Sequence, residues 1–300
     1  MIKLRTDCSS ARTVIARRQL LAGVVILAIF SSFRAGRMLP YMGAAGSINL
    51  RSEASSPKAR SRPSPITIDG QTGIQIVPRV QRNMFPDEWA DPASPTSATA
   101  PAPELVPFAV EGIKRALRKY PAAFLKKNLS RVYVVNNLLV DGQPSGGVNA
   151  PEMKTIYVDL DNLESSEVAA WSEETIHHEF AHLLADNHPR SISMKSWSTL
   201  NIPGFTYGSG GTDAIRLGKD GDEITDEYLS QGFVEEYSKS DPSEDFATLC
   251  ERMFSGDREV QRAFMRFPLL RRKEYRVIAF YHSLDHSFTE SYFKSLKPSR

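Results

Sequence analysis

The chain has 300 residues, 41% hydrophobic and 24% charged, which is enough material for one substantial core. Its 37 basic and 35 acidic side chains leave a net charge of +2, so no global field draws it to nucleic acid. Two cysteines, Cys8 and Cys250, give no basis for a disulfide framework.

Residues 1–46 read as a signal peptide or an N-terminal anchor. Lys3, Arg5, Arg12, Arg17 and Arg18 precede the uncharged run LLAGVVILAIF (Leu20 to Phe30), which is short for a bilayer span. The junction ARRQLLAG (Ala16 to Gly23) resembles a twin-arginine export signal, without the usual Ser or Thr before the arginines and Phe after them. Small residues in YMGAAGS (Tyr41 to Ser47) offer a cleavage site, and retention of the segment would tie the protein to a membrane. The expected location is therefore outside the cytoplasm, as a periplasmic or secreted protein, or on a membrane.

Residues 47–106 read as a linker rich in Ser and Pro, as in Arg51 to Pro65 and again in Asp91 to Glu104, where large apolar residues are scarce. Between these stretches, ITIDGQTGIQIV (66–77) alternates apolar and polar residues around glycine turns and reads as a hairpin or edge strand. From 107 to 300 the pattern is that of a folded domain. FAVEGIKRALRKYP is an amphipathic helix ended by Pro121; RVYVVNNLLV (Arg131 to Val140) and KTIYVDL (Lys154 to Leu160) are strands. The loop DGQPSGG (Asp141 to Gly147) separates them. The coarse picture is α+β: a small sheet, a helix bearing histidines, and a mainly helical C-terminal part.

That helix starts at Ser165 or Ser166, with Ile176, Phe180, Leu183 and Leu184 on an apolar stripe facing the core. Within it, TIHHEFAHLLADNHPR holds four of the six histidines. His178 and His182 are four apart, so they share a helix face at the separation two imidazoles need to reach one zinc ion. Glu179 has the position of the general base in H-E-x-x-H sites. A random chain of this composition contains that pattern only about once in a hundred.

Zinc takes a third protein ligand. His188, ten residues after His178, has the spacing of the metzincin motif, but Ala185 stands where that motif has a helix-ending glycine, and Pro189 pushes His188 out of helical geometry. The rival is Glu244, at the start of a second helix with Asp241 as N-cap and Pro242 in the first position. Spacing alone leaves Glu244 between two roles, because Asp241 and Glu244 also have capping-box spacing. Asp245 reads as a partner behind the ligands or a solvated charge. His177 points about 100° away around the helix and reads as a bystander, either behind the ligands or at the surface. Cys250 reads as a small buried hydrophobe. The Gly- and Asp-rich stretch Trp197 to Tyr228 reads as a cleft lining or lid, with Asp220, Asp222 and Asp226 a weak calcium loop.

His178, Glu179 and His182, followed some sixty residues later by YSKSDPSEDFA (Tyr237 to Ala247), resemble the zincin group that includes the anthrax-toxin lethal factor catalytic domain and the Mlc titration factor peptidases. GFVEEYSKSDPSEDFA is especially similar to bacterial zinc-binding metallopeptidases carrying a YA-x-x-x-P-x-E-D-F-A segment, with Ser238 in place of the usual Ala. The resemblance implies a zincin fold, zinc as cofactor, Glu244 as third ligand, and Tyr237 as a hydroxyl donor to the oxyanion. It implies a metallopeptidase acting on a peptide or protein, and the N-terminal segment adds export. Two alternatives stand beside it: a non-catalytic zinc-binding or scaffold protein of the same fold, and a metzincin-type peptidase with His188 as third ligand.

Overall fold

The computed structural model describes residues 66–90 and 95–298; the signal-like segment 1–46, with Cys8, and the linker to residue 65 lie outside the described residues. In chain order the elements are β1 (Thr67–Ile68), β2 (Gln75–Val77), β3 (Ser97–Thr99), α1 (Val106–Leu117), α2 (Ala122–Asn128), β4 (Arg131–Val140), β5 (Gln143–Pro144), β6 (Gly147–Ala150) and β7 (Thr155–Asp159). The long helix α3 (Ser165–Asn187) follows. After it come α4 (Met194–Ser198), α5 (Gly211–Arg216), α6 (Asp226–Gln231), α7 (Pro242–Ser255), α8 (Arg258–Arg266), α9 (Pro268–Leu284) and α10 (Glu290–Ser295). The fold is α+β, with all the strands before α3 and a helical C-terminal part after it.

Alternation along β4 decides the two faces of the sheet. Val132 and Val134 join Ile76, Ile156 and Val158 on the side that packs against the helices. Tyr133 and Val135 join Val77, Val148 and Tyr157 on the other side, which is covered by Met84, Phe85 and Trp89. Strand order is β1-β2-β4-β7-β6, with β2 and β7 parallel to β4 and β6 antiparallel at the edge. From Asn136 onward β4 pairs instead with β3 and β5, with the left-handed Asn137 (φ 49°) at the changeover.

Two sequence expectations change here. Part of the presumed linker is structural: Ser97–Thr99 forms β3, because Thr99 pairs with Asn136 and needs no large side chain of its own. The 66–77 island forms the expected hairpin, β1 pairing antiparallel with β2, and joins the edge of the main sheet through parallel pairing of β2 with β4. The loop 141–147 begins as a tight hairpin, in which Asp141 and Gly142 both take positive φ (49° and 72°) and Val140 pairs with Gln143.

Helix α3 is capped by Glu164 rather than by a serine, through a capping box with Glu167. It is buried on nearly all sides, 15 of its 23 residues being inaccessible, so the single apolar stripe read from sequence understates its contacts. Gly112 lets α1 cross it closely; a Cβ there would sit 2.1 Å from the Ala169 carbonyl oxygen. Among the described residues no helix is long and apolar enough to cross a membrane.

Candidate metal centre

The fold brings α7 across α3, and the two helices supply three ligand atoms to one point. His178 Nε2 and His182 Nε2 are 3.0 Å apart, and Glu244 Oε2 lies 3.2 Å from the first and 3.5 Å from the second. A tetrahedral ion held at about 2.0–2.1 Å needs donor atoms about 3.3–3.4 Å from one another, so the triangle is close to the size that zinc requires. Among the described residues no other group of three or more His, Cys, Asp or Glu side chains converges in this way.

Each ligand is oriented from behind. His178 Nδ1 faces Glu251 Oε2 at 3.1 Å, and a carboxylate only accepts, so the proton sits on Nδ1 and the Nε2 lone pair is free. His182 Nδ1 meets Ser243 Oγ at 2.9 Å. Behind Glu251 stands Arg252, 3.6 Å away and paired to Glu235 at 2.8 Å.

The electrostatics keep Glu244 ionised beside the two imidazoles. Burial works against charge on His178, yet its hydrogen bonds to Glu244 and Glu251 prevail and push its pKa up to about 10. Burial would raise Glu244, but His182 and His178 pull it down to about 2. The donor set is thus an ionised carboxylate beside two imidazoles, a chemistry that suits zinc.

Glu179, one residue past the first ligand, is fully buried. Its Oε2 accepts from Asn149 Nδ2 of β6 at 3.3 Å, while Oε1 has no hydrogen-bond partner. Burial raises its pKa to about 7 against the pull of His178 and His182. Gly147, on the same strand, makes room for this carboxylate; a Cβ there would lie 3.2 Å from Oε1 and 2.6 Å from Thr175 Cγ2.

Tyr237 is buried in a short turn before α7, and its hydroxyl is hydrogen-bonded to Glu244. Burial first, then the Glu244 and Glu179 charges, hold its pKa well above the ordinary value, so it remains a protonated donor. Ala214 of α5 packs on it, and the chain around α5 is fastened over this turn by Gly208 N to Lys239 O and Gly210 N to Ser240 O, both 3.1 Å. A cavity of about 370 Å³ opens alongside, walled by Phe205, Tyr207, Asp213, Lys239 and Ser240. The stretch 197–228 thus lines space next to Tyr237. Its calcium-loop reading fails, since both Asp226 carboxylate oxygens are taken by Arg266 at 3.0 and 2.6 Å.

His188 is not with the ligands. It ends α3 as the C-cap and faces Asn128 Oδ1 at 3.3 Å, because the helix runs two residues past the position at which a metzincin glycine would turn the chain. His177 is not at the surface: it is buried, 2.9 Å from the Tyr120 hydroxyl and stacked on Phe254. Asp245 is neither solvated nor in contact with a ligand. It accepts from Trp197 Nε1 at 2.7 Å, Tyr207 at 2.5 Å and the buried Lys273 at 2.6 Å, tying α4, the following loop and α9 to α7. Cys250 is buried, and burial raises its thiol pKa. Asn149, Ser243 and Glu251 are the contributors that sequence reasoning misses. Glu251 alone carries a signal, lying seven residues after Glu244 and so on the same helix face.

A family model described as "Putative zinc-binding metallo-peptidase" matches residues 124–289. Among solved structures, a Bacteroides caccae protein of the same description is 16% identical, with 75% of this chain and 87% of that chain covered and a TM-score of 0.42. A search of curated proteins finds no match.

Proposed function

This chain belongs to the zinc-binding metallo-peptidase family, and on that footing we propose that it is an exported enzyme that hydrolyses peptide bonds in a peptide or protein substrate. The observation that carries the reading is the triangle of His178 Nε2, His182 Nε2 and Glu244 Oε2, with edges of 3.0 to 3.5 Å, beside a buried Glu179 that keeps one oxygen unpartnered.

His178, His182 and Glu244 would hold the zinc. Zinc supplies a Lewis acid that polarises the scissile carbonyl and lowers the pKa of water. Glu179 takes the proton of the attacking water on Oε1 and passes it to the leaving amine, while Asn149 fixes the other oxygen. Tyr237, a protonated donor, turns from Glu244 to the developing oxyanion. The N-terminal basic cluster and apolar run support export.

Glu179→Gln tests the assignment. The variant keeps one zinc by elemental analysis and loses about 10²–10⁴ of the wild-type cleavage rate on a peptide library. Full cleavage by that variant would remove Glu179 from the mechanism. Stoichiometric zinc in the wild type with no chelator-sensitive cleavage would favour a non-catalytic scaffold instead.

A further inference from the structure

The two remaining histidines lie far from the zinc helix in sequence. His282 is in the last turn of α9, and His286 lies just beyond it, on the turn leading to α10. Both are exposed. The helix stops at Leu284, and the Asp285 carboxylate accepts from Ser287 N at 2.9 Å, which folds the chain so that His286 sits against His282.

The rings repeat the arrangement of the buried pair. Their centroids are 4.8 Å apart at 58°, against 4.8 Å and 61° for His178 and His182. The facing atoms, His282 Nε2 and His286 Nδ1, are 3.3 Å apart, the edge length of two donors on one tetrahedral ion. His282 Nδ1 faces the Phe288 carbonyl oxygen at 3.2 Å. A carbonyl only accepts, so the proton is fixed on Nδ1 and the Nε2 lone pair is turned to His286, the same device that orients His178. Phe288 is fully buried, which anchors that carbonyl to the core.

We infer that His282 and His286 form a second, solvent-accessible site for a divalent transition ion of the kind that prefers imidazole. The protein gives two nitrogens and water completes the coordination, so this site binds more weakly than the three-ligand site. Affinity follows the usual order for nitrogen donors, with Cu²⁺ above Ni²⁺ and Zn²⁺. A bound ion pins the end of α9 to the turn before α10. The inference does not depend on peptidase activity.

The test is a Cu²⁺ titration of zinc-loaded protein, followed by electron paramagnetic resonance, with retained zinc measured by elemental analysis. The wild type takes up one added copper with nitrogen hyperfine structure and keeps its zinc, and its melting temperature rises. His286→Ala and His282→Ala each keep the zinc, bind copper at least about tenfold more weakly and lose the rise in melting temperature. Because both rings are exposed, two separate variants guard against one that folds poorly. Equal copper binding in the variants, or copper uptake matched by zinc loss, would overturn the site. So would failure of the wild type to take up copper below millimolar concentration, which would leave the two rings as a simple hydrogen-bonded pair.

Discussion

Glu244 illustrates how one residue type serves two roles at one position. It stands three residues after the N-cap Asp241, where a glutamate ordinarily reaches back to the cap. Here Asp241 accepts from Ser243 N at 2.7 Å, and the Glu244 carboxylate turns to His178, His182 and Tyr237. Glu244→Ala therefore loses stoichiometric zinc on dialysis, while His188→Ala keeps it; the reverse pattern in elemental analysis would restore the metzincin spacing. Tyr237→Phe keeps zinc and lowers the cleavage rate by about 10²–10³, since only the hydroxyl donor is removed. An unchanged rate would reduce Tyr237 to a packed aromatic. The H-E-x-x-H half of the site is legible in sequence because two ligands and a base fall within about one helical turn, where spacing translates directly into geometry. Glu244 and Tyr237 are legible only by resemblance, since a cap partner and a core aromatic would give the same letters. Asn149 is not legible at all, because only the pairing of β6 with β7 brings it to α3.

At the scale of elements, the site depends on how closely α3 lies against the sheet edge. The closest approach is at Gly147 of β6, where an added Cβ would meet Thr175 Cγ2 at 2.6 Å and Glu179 Cγ at 3.2 Å. Both neighbours belong to buried α3, whose backbone is fixed on its other flank by α1 and the Glu173 pairs with Arg115 and Lys119. With no room to retreat, Gly147→Ala costs about 1–3 kcal/mol of stability by overpacking and displaces the Glu179 side chain, so cleavage falls while zinc, held by His178 and His182 of α3 and Glu244 of α7, stays bound. Denaturant midpoints together with zinc content check this, and a variant of wild-type stability and rate would mean that the strand shifts freely. The same elements show why β4 and β7 are legible and β5 and β6 are not. Long runs of branched and aromatic residues announce a buried strand. Gly147–Ala150 has four buried residues of small or mixed kind, whose pairing is decided by β7. Strand β3, made of Ser, Ala and Thr, likewise has nothing but its partner to mark it.

Across the whole molecule, a buried carboxylate at the end of the sheet couples stability to pH. Asp159 closes β7 with its main chain fully engaged, its N–H on the Gly146 carbonyl at 2.9 Å and its carbonyl taking Trp171 Nε1 at 2.8 Å. Its side chain is 8% exposed, and Oδ1 has no partner. Burial raises its pKa from 3.8 to about 7, with backbone hydrogen bonds and the Asp161 charge as smaller influences. The folded state therefore holds a proton that the unfolded chain has released anywhere between those two values. Stability from this group is fully present below the unfolded value and is lost as pH rises through about 7, with a limiting slope of about 1.4 kcal/mol per pH unit. Asn has the shape of the protonated acid and no charge to bury, so Asp159→Asn removes the slope. The zinc-loaded variant and wild type should have similar denaturant midpoints near pH 4, and the variant should gain steadily on the wild type up to pH 8. The comparison cancels the pH dependence of the zinc site, which both proteins share, and parallel curves across that range would show that the Asp159 carboxylate is ionised in the fold without cost.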